Sequence, residues 1–333
     1  MAEKIRWGIV STGGMAHKFA EGLSILADAK ITAVASRTRE SAEKFGTEFN
    51  VPHRYVGIEA IASDEDVDII YIATPHPMHK NETISSLEGG KAVLCEKPFA
   101  MNSSEVGQMV ECARKNKLFL MEAMWMYFFP AMSKVRELAA GGAIGEVRLV
   151  QVNFCTRREW EPESRFLNPQ LGGGALLDVG VYNIALTQMI YGREPKRISS
   201  LAHIGQSGVD EQSSTIFGYD GGAMAVLMCA VRTETLYEAA IYGTGGYIKI
   251  PHMFFQPDRI IVKAGKDEEK EIKFSRLGNG YSYEAAEVMQ CLRDGKVECP
   301  TMPLNTSITI MKTMDKIRQQ WKLVYPMEKK AEK

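Results

Sequence analysis

The stretch Gly8-Ile9-Val10-Ser11-Thr12-Gly13-Gly14-Met15-Ala16 follows a short apolar run and precedes a segment with helical spacing. A glycine-bearing loop between a strand and a helix is the usual position of a dinucleotide-binding motif. The glycines would let the backbone approach a pyrophosphate, and the helix N-terminus offers N–H groups to the phosphates. We therefore predict cofactor contacts from Ser11, Thr12, Gly13, Gly14 and Met15. Ser11 replaces the first glycine of the motif, and a purely structural glycine turn is the alternative interpretation.

Strand-like and helix-like segments alternate from this loop to about residue 122. Apolar runs that predict strands lie at 5–10, 31–35, 67–73, 91–95 and 118–121. Segments with helical spacing lie between them at 15–26, 41–49, 82–87 and 102–116. The run at 67–73 is rich in Ile and Val, which is typical of a strand buried on both faces of a parallel sheet. The alternation predicts an α/β fold with a doubly wound parallel sheet, the Rossmann arrangement.

The pattern changes beyond residue 122, where strands follow one another and glycine turns separate several of them. Strand-like runs lie at 147–154, 198–203, 213–217, 223–230, 238–242, 260–262 and 271–274, and helical segments at 132–140, 174–191, 283–293 and 306–321. Consecutive strands predict an α+β domain with an open, mostly antiparallel sheet. We place a dinucleotide-binding domain at 1–123 and a substrate-binding and dimerisation domain at 124–333.

The end of the second strand bears on the choice between NAD and NADP. An NAD site usually has an acidic residue there, on the ribose 2′-hydroxyl. This chain has Ser36 and Arg37, followed by a second arginine at Arg39. A guanidinium binds a phosphate through charge-assisted hydrogen bonds. We predict NADP as the cofactor, with NAD as the lesser alternative; the competing interpretation is that both arginines are surface residues.

Three further motifs occur along the chain. They are Ala73-Thr74-Pro75-His76-Pro77-Met78-His79, Cys95-Glu96-Lys97-Pro98 and Gly172-Gly173-Gly174-Ala175-Leu176-Leu177-Asp178-Val179-Gly180-Val181-Tyr182. Together they resemble the glucose–fructose oxidoreductase/inositol dehydrogenase (Gfo/Idh/MocA) family over nearly the whole chain. The segments 121–125 and 128–130 are similar to the branch of dimeric dihydrodiol dehydrogenases and NADP-dependent D-xylose dehydrogenases.

The resemblance implies a nicotinamide cofactor across the carboxyl ends of the parallel strands. It implies that Lys97 is the catalytic lysine, that Tyr182 is the acid–base tyrosine and that Asp178 is a supporting carboxylate. It also implies a cis peptide bond between Lys97 and Pro98, and a dimer formed sheet to sheet.

Elementary chemistry agrees with these roles. Oxidation of an alcohol needs a base for the hydroxyl proton while the hydride leaves to the nicotinamide. A phenol with its ordinary pKa of about 10 is a poor base near neutrality, and a nearby ammonium lowers that pKa. Lys97 would therefore activate Tyr182, and Asp178, four residues earlier on the same predicted helix, would orient Lys97. The alternative is that Tyr182 only packs and Asp178 only caps a helix.

Other residues are candidates for contact with the nicotinamide end of the cofactor. They are Thr74, Pro75, His76 and His79 after the fourth strand, Glu96 beside Lys97, Trp125, and Arg165 in a long irregular segment. The two histidines are alternatively ordinary loop residues, and the segment around Arg165 is alternatively a surface loop. Without a third ligand cluster we predict no metal.

Composition excludes several classes of protein. The 333 residues carry 40 Lys+Arg against 41 Asp+Glu, which argues against a dedicated nucleic-acid binder. No apolar stretch approaches the roughly 20 residues of a membrane span. The N-terminus, Met1 to Arg6, carries charges where a signal peptide has an apolar core. Six scattered cysteines without a Cys-x-x-Cys pair are typical of buried apolar residues, so we expect a cytoplasmic protein.

The combined prediction is an NADP-dependent oxidoreductase. Its substrate would be a secondary alcohol or ketone of a sugar such as D-xylose or D-glucose, or a trans-dihydrodiol. The alternatives are a related inositol or keto-sugar dehydrogenase or reductase, and a non-catalytic NADP-binding regulator on the same fold. We further expect a homodimer through the C-terminal sheet, because strands such as 223–230 carry more apolar residues than one core face requires.

Overall fold

The computed structural model of the chain describes residues 4–329, so the first half of the charged N-terminal stretch, Met1 to Glu3, lies outside the described residues. Two compact units make up the chain. The first contains Met1–Phe128 and Arg276–Ile308, and the second contains Phe129–Ser275 and Thr309–Lys333. The segment 276–308, which the predicted division at residue 123 assigns to the second domain, thus belongs to the first unit.

The helices and strands within residues 4–329 have the following bounds. The strands are β1 (Ile5–Val10), β2 (Ala29–Ser36), β3 (His53–Val56), β4 (Ile69–Ile72), β5 (Ala92–Glu96), β6 (Leu120–Ala123), β7 (Val147–Cys155), β8 (Arg197–Ile204), β9 (Asp210–Gly218), β10 (Met224–Ala230), β11 (Ala239–Gly243), β12 (Gly246–Ile250), β13 (Arg259–Ala264) and β14 (Lys270–Lys273). The α-helices are α1 (Gly14–Ser24), α2 (Arg39–Glu48), α3 (Ile58–Ala62), α4 (His79–Glu88), α5 (Ser103–Asn116), α6 (Pro130–Ala140), α7 (Val181–Tyr191), α8 (Tyr281–Arg293) and α9 (Leu304–Trp321).

The first unit contains a six-stranded sheet in the order β3-β2-β1-β4-β5-β6. Every neighbouring pair is parallel, and Trp7 of β1 lies opposite Ile31 of β2 and Ile69 of β4. All four residues of β4 are buried, as expected for a strand covered on both faces. The predicted doubly wound parallel sheet is confirmed. The chain direction along the sheet reverses between β1 and β4, so the crevice beyond their carboxyl ends is the position for a ligand.

The second unit contains an eight-stranded sheet in the order β14-β13-β12-β11-β7-β10-β9-β8. Neighbours are antiparallel except for the pair β7 and β10. Burial alternates along β9 and β10, so one face of these strands forms core while the other stays exposed. The predicted mostly antiparallel sheet is confirmed.

Three short elements were not predicted from the sequence. β3 has only four residues, His-Arg-Tyr-Val, at the sheet edge, and it shows no apolar alternation. α3 has five residues. β12 begins at Gly246, which sequence analysis assigned to a glycine turn; Gly246 instead pairs with Gly243, and the turn is only two residues long. Elements this short give too few residues for a period to be read.

A buried carboxyl on β6 fixes the loop that follows β5. Glu122 is 1% exposed, and its Oε1 accepts the backbone N–H of Phe99 at 3.1 Å. The predicted cap of α5 lies on the same segment: the side chain of Asn102 accepts the N–H of Glu105 at 3.0 Å. Burial raises the pKa of Glu122 to about 7. The folded chain therefore binds a proton at Glu122 more tightly than the unfolded chain does, so raising the pH through 4.5 to 7 removes stability.

We expect Glu122→Gln to reduce this pH dependence. The amide oxygen still accepts from Phe99, but no charge develops in the core. The variant should match the wild type at pH 5 and exceed its free energy of unfolding at pH 8 by roughly 1–3 kcal/mol, since each unit of pKa shift corresponds to about 1.4 kcal/mol. Urea denaturation at the two pH values measures this, with the exposed Glu111→Gln as control. Equal pH slopes for wild type and Glu122→Gln would contradict the assignment.

Candidate active site

The predicted cofactor residues of the first unit share one edge of the parallel sheet, because each follows the carboxyl end of a strand. Ser11 to Met15 follow β1, Ser36 and Arg37 lie at the end of β2, Thr74 to His79 follow β4, Glu96 and Lys97 lie at the end of β5, and Trp125 follows β6. Strand order alone thus brings together residues that are more than a hundred positions apart in sequence.

Ser11 takes over the conformation of the glycine that it replaces. Its φ is +117°, in the region that glycine adopts most easily. Its N–H donates to Ala35 on β2 at 3.0 Å, and its Oγ accepts the N–H of Gly13 at 3.1 Å. The departure from the motif therefore leaves the tight turn in place.

Gly13 supplies space rather than an unusual backbone angle. Its φ is −82°, and a Cβ there would meet only Ser11 Oγ, at 3.4 Å. A Cβ at Gly14 would meet nothing within 4 Å. Gly13 is also the N-cap of α1 and offers no capping side chain, so the first N–H groups of the helix stay available for a ligand. These features fit close approach of a dinucleotide phosphate.

The end of β2 presents one arginine without a partner in the chain. Ser36 Oγ lies 3.2 Å from Thr12 Oγ1, which joins the loops after β1 and β2. Arg39 donates to the carbonyl of Arg54 at 2.6 Å, and Thr38 caps α2. Arg37 is exposed and, within residues 4–329, makes no side-chain hydrogen bond or ion pair. Its guanidinium is therefore available to an anion.

The loop after β4 is held by buried side chains of α4. Thr74 Oγ1 donates to Glu82 Oε2 at 2.5 Å, and burial raises the pKa of Glu82 to about 7. His79 is 0% exposed, and its two ring nitrogens lie 2.9 Å from the carbonyl oxygens of Pro98 and Thr74. His76 is buried too, in the turn that Pro75 begins, with its ring 5.8 Å from that of His79.

Glu96 fixes the start of the loop that carries Lys97. Its Oε1 accepts from the Tyr71 hydroxyl at 2.5 Å, and its Oε2 accepts the N–H of Lys97 at 3.2 Å. Burial and the Glu96 charge hold the pKa of Tyr71 well above 10, so this phenol stays a donor. The bond between Lys97 and Pro98 is cis, as the resemblance implies.

Residues of α8 complete this end of the first unit, and sequence reasoning missed them. Trp125 stacks on Tyr281 with ring centroids 4.4 Å apart, and the Tyr281 hydroxyl lies 3.9 Å from Met15 Sδ. Glu284, one turn further, is 0% exposed, and neither of its oxygens has a hydrogen-bond partner within residues 4–329. Burial and the nearby Glu96 charge hold its pKa well above 4.5, so Glu284 is a neutral acid. The sequence shows only an amphipathic helix more than 150 residues after Trp125.

The glycine run of the second unit leads into Asp178 and Tyr182. Residues Leu176–Gly180 wind as a π-helical stretch before α7, a feature that the 3.6-residue spacing does not anticipate. The partner of Asp178 that the geometry gives is Arg165, whose guanidinium donates to Oδ1 at 2.8 Å. Tyr182 is 6% exposed, and its ring packs 5.6 Å from both Phe154 and Phe255. Thus Arg165 and Asp178, predicted for separate roles, form one ion pair.

Two residues distant in sequence anchor the glycine run and were also missed. Asp210 Oδ2 accepts the N–H of Leu176 at 2.7 Å, and the Tyr325 hydroxyl donates to the carbonyl of Gly173 at 2.6 Å. Burial raises the pKa of Asp210 to about 7. Gly174, with φ +114°, lies so close to both side chains that a Cβ would approach Asp210 Oδ1 to 2.3 Å.

Two groups of side chains lie close enough together to hold a metal. They are Glu287 with Cys291 and Cys299, and His53 with Asp64 and Asp66. Among the described residues, neither group includes His76 or His79. Five of the six cysteines are buried and Cys112 is half-buried. Within residues 4–329, no helix combines the length and the hydropathy that crossing a bilayer requires.

Comparison with known proteins places this geometry in a family. Residues 5–124 match an oxidoreductase family with an NAD-binding Rossmann fold, and residues 132–249 match the GFO/IDH/MocA C-terminal domain. Trans-1,2-dihydrobenzene-1,2-diol dehydrogenase of Xenopus laevis is 38% identical over 96% of this chain and 99% of its own length. The enzyme of that name from Homo sapiens is 34% identical over 98% and 99%.

Solved structures share the fold. An aldose-aldose oxidoreductase from Caulobacter crescentus, complexed with glycerol, superposes with a TM-score of 0.88 at 23% identity, covering 95% of this chain and 97% of its own. A 3-ketoreductase from Actinomadura kijaniata, in complex with NADP and TDP-benzene, gives 0.85 at 22% identity, covering 95% and 98%. The chain therefore belongs to the Gfo/Idh/MocA family of oxidoreductases, as the motifs around Lys97 and Asp178 predicted.

Proposed function

We propose that the chain is an NADP-dependent dehydrogenase whose substrate is a trans-dihydrodiol or the secondary alcohol of a sugar such as D-xylose or D-glucose. The observation that carries this proposal is the arrangement at the carboxyl edge of the parallel sheet. There an uncapped helix N-terminus, an unpartnered arginine and Lys97 follow β1, β2 and β5. The relatives named as dihydrodiol dehydrogenases, at 34–38% identity over nearly their whole length, support the diol substrate.

The residues of this chain then divide the work as follows. NADP, when bound, accepts the hydride. Tyr182 takes the hydroxyl proton of the substrate, and the Lys97 ammonium stabilises the resulting phenolate. Glu96 orients the Lys97 backbone through its accepted N–H. Asp178 holds Arg165 on the second unit, where the guanidinium is available to the cofactor or the substrate. The aromatic packing of Tyr182 fixes the direction of its hydroxyl.

Tyr182→Phe tests the proton transfer. The ring keeps its packing while the acid–base group is lost, so kcat should fall roughly 10²–10⁴-fold. NADP⁺ reduction with trans-dihydrodiols, pentoses, hexoses and inositols measures turnover, and also identifies the substrate. Tyr191→Phe, on the same helix, is the matched control because its hydroxyl only donates to the carbonyl of Met224. Near-normal kcat in Tyr182→Phe with the best substrate would refute the role.

Arg37→Ala tests the preference for NADP. A hydrogen bond to a charged group contributes about 1.5–3 kcal/mol, so NADPH should bind roughly 10–150-fold more weakly and NADH nearly as before. Fluorescence titration with both nucleotides measures this. Arg39→Ala is the control because Arg39 already contacts the carbonyl of Arg54. Equal losses for NADPH and NADH would place Arg37 on the adenosine moiety that they share instead.

We also propose a homodimer through the exposed face of the eight-stranded sheet. That face carries an apolar stripe on adjacent strands, made of Leu201, Ile216, Met224, Val226 and Met228. Ile216 lies directly opposite Val226 in the β9–β10 pair, and Leu201 is 82% exposed. Contiguous exposed apolar side chains on a regular surface are typical of an interface between chains.

Val226→Lys should convert the dimer into a monomer. It places a charge in the middle of the stripe, where a sheet-to-sheet interface would bury it unpaired. Light scattering at micromolar concentration measures the mass, and circular dichroism checks that the sheet is retained. Lys249→Ala on β12 serves as the control, since it removes an exposed charge away from the stripe. A wild-type monomer in the same experiment would refute the proposal.

A further inference from the structure

His79 connects the two loops that carry the reacting end of the first unit. Its Nδ1 lies 2.9 Å from the carbonyl oxygen of Pro98, the residue after Lys97. Its Nε2 lies 2.9 Å from the carbonyl oxygen of Thr74, at the end of β4. The two carbonyls belong to loops that follow neighbouring strands, β4 and β5. A single side chain thus spans the carboxyl edge beside the strand-order reversal.

Both loops are also held on their far sides. Thr74 Oγ1 donates to Glu82, and the N–H of Phe99 is bound by Glu122. Nevertheless, the backbone carbonyls of Thr74 and Pro98 have no sheet partner, because each lies beyond the end of its strand. Buried carbonyls need donors, and the imidazole is placed to serve both.

The ring is fully enclosed, which separates this role from direct contact with a ligand. His79 is 0% exposed, and both nitrogens already face backbone oxygens. A neutral imidazole donates to one carbonyl, whereas an imidazolium donates to both. Burial lowers the pKa of His79, and so does the Lys97 ammonium, while the carbonyl contacts act in the opposite direction.

We propose that His79 is a positioning residue: through Pro98 it sets the position of Lys97, and through Thr74 it sets the loop on the cofactor side of the crevice. This rests on the proposed function, in which Lys97 acts on the reacting groups. It differs from the direct contact with the nicotinamide ribose that the sequence suggested. The two halves of the tie use different nitrogens, so they can be removed one at a time.

Two amide variants separate the halves. Asn places an NH₂ near the position of Nδ1, so His79→Asn keeps the bond to Pro98 and loses the bond to Thr74. Gln reaches the position of Nε2, so His79→Gln does the reverse. For His79→Gln we expect kcat to fall roughly 10–100-fold, because a small misplacement of a reacting group is costly, with the Kd for NADPH nearly unchanged. For His79→Asn we expect the Kd to rise about 2–10-fold, the worth of one hydrogen bond, with the smaller loss of kcat.

The measurements are kcat from NADP⁺ reduction, Kd from fluorescence titration with NADPH, and Tm for each variant. His53→Gln is the matched control, since His53 also donates through Nδ1, but to Asp64 near the edge strand β3. Two results would overturn the proposal. Equal weakening of NADPH in both variants would mean that the ring itself contacts the cofactor. A lower Tm with kcat and Kd unchanged in both would mean a purely structural role.

The outcome is distinguishable from failure of the proposed function. If the wild type reduces NADP⁺ with none of the polyols, the proposed activity falls. The Kd comparison then decides the tie alone: weaker NADPH binding by His79→Asn than by His79→Gln supports it, and equal affinities overturn it.

Discussion

Parallel pairing of β1 with both β2 and β4 is the constraint on which the cofactor end of the molecule depends. It reverses the strand order at β1, and it sends every loop that follows a strand to one edge. The backbone of those loops has no sheet partner, so its polar groups must find side chains instead. Thr12 with Ser36, Glu96 with the N–H of Lys97, and Glu122 with the N–H of Phe99 are all answers to this requirement.

These answers place several ionisable groups in the core. Glu82, Glu122 and Glu284 are at most 8% exposed, and burial raises the pKa of each. Isolated ionised carboxyls would be costly there, whereas protonated ones cost far less. Glu82 and Glu122 accept hydrogen bonds from loop residues, while Glu284 has no partner within residues 4–329. The fold thus accepts buried acids where they hold loops, and loses stability when they ionise.

The sequence predicted the elements whose pattern extends over many residues. The parallel sheet, the antiparallel sheet and the cap at Asn102 were all readable, because apolar periodicity and capping chemistry are local. The strands β3 and β12 were not, since four or five residues with mixed polarity give no period. The assignment of α8 to the first unit was not readable either, because only tertiary packing returns residues 276–308 there.

The candidate site divides in the same way. Motif residues such as Ser11 and Lys97 could be named, because their position after a strand fixes where they lie. Their partners could not: Tyr71 for Glu96 and Asp210 for the glycine run come from distant segments that carry no motif. Arg165 was named, but its pairing with Asp178 depends on the course of the irregular segment around it.

That irregular segment also explains why the family fixes the chemistry without fixing the substrate. Between β7 and the π-helical stretch, residues 156–175 form no strand, so no register positions them. Arg158 donates its N–H to Val231, and the guanidinium groups of Arg158 and Arg165 lie 4.4 and 4.5 Å from the ring of Phe166. Few contacts of this kind leave room for insertion and substitution. The proton-transfer residues lie on regular elements or directly after them, whereas this variable segment supplies part of the surface on which substrates can be told apart.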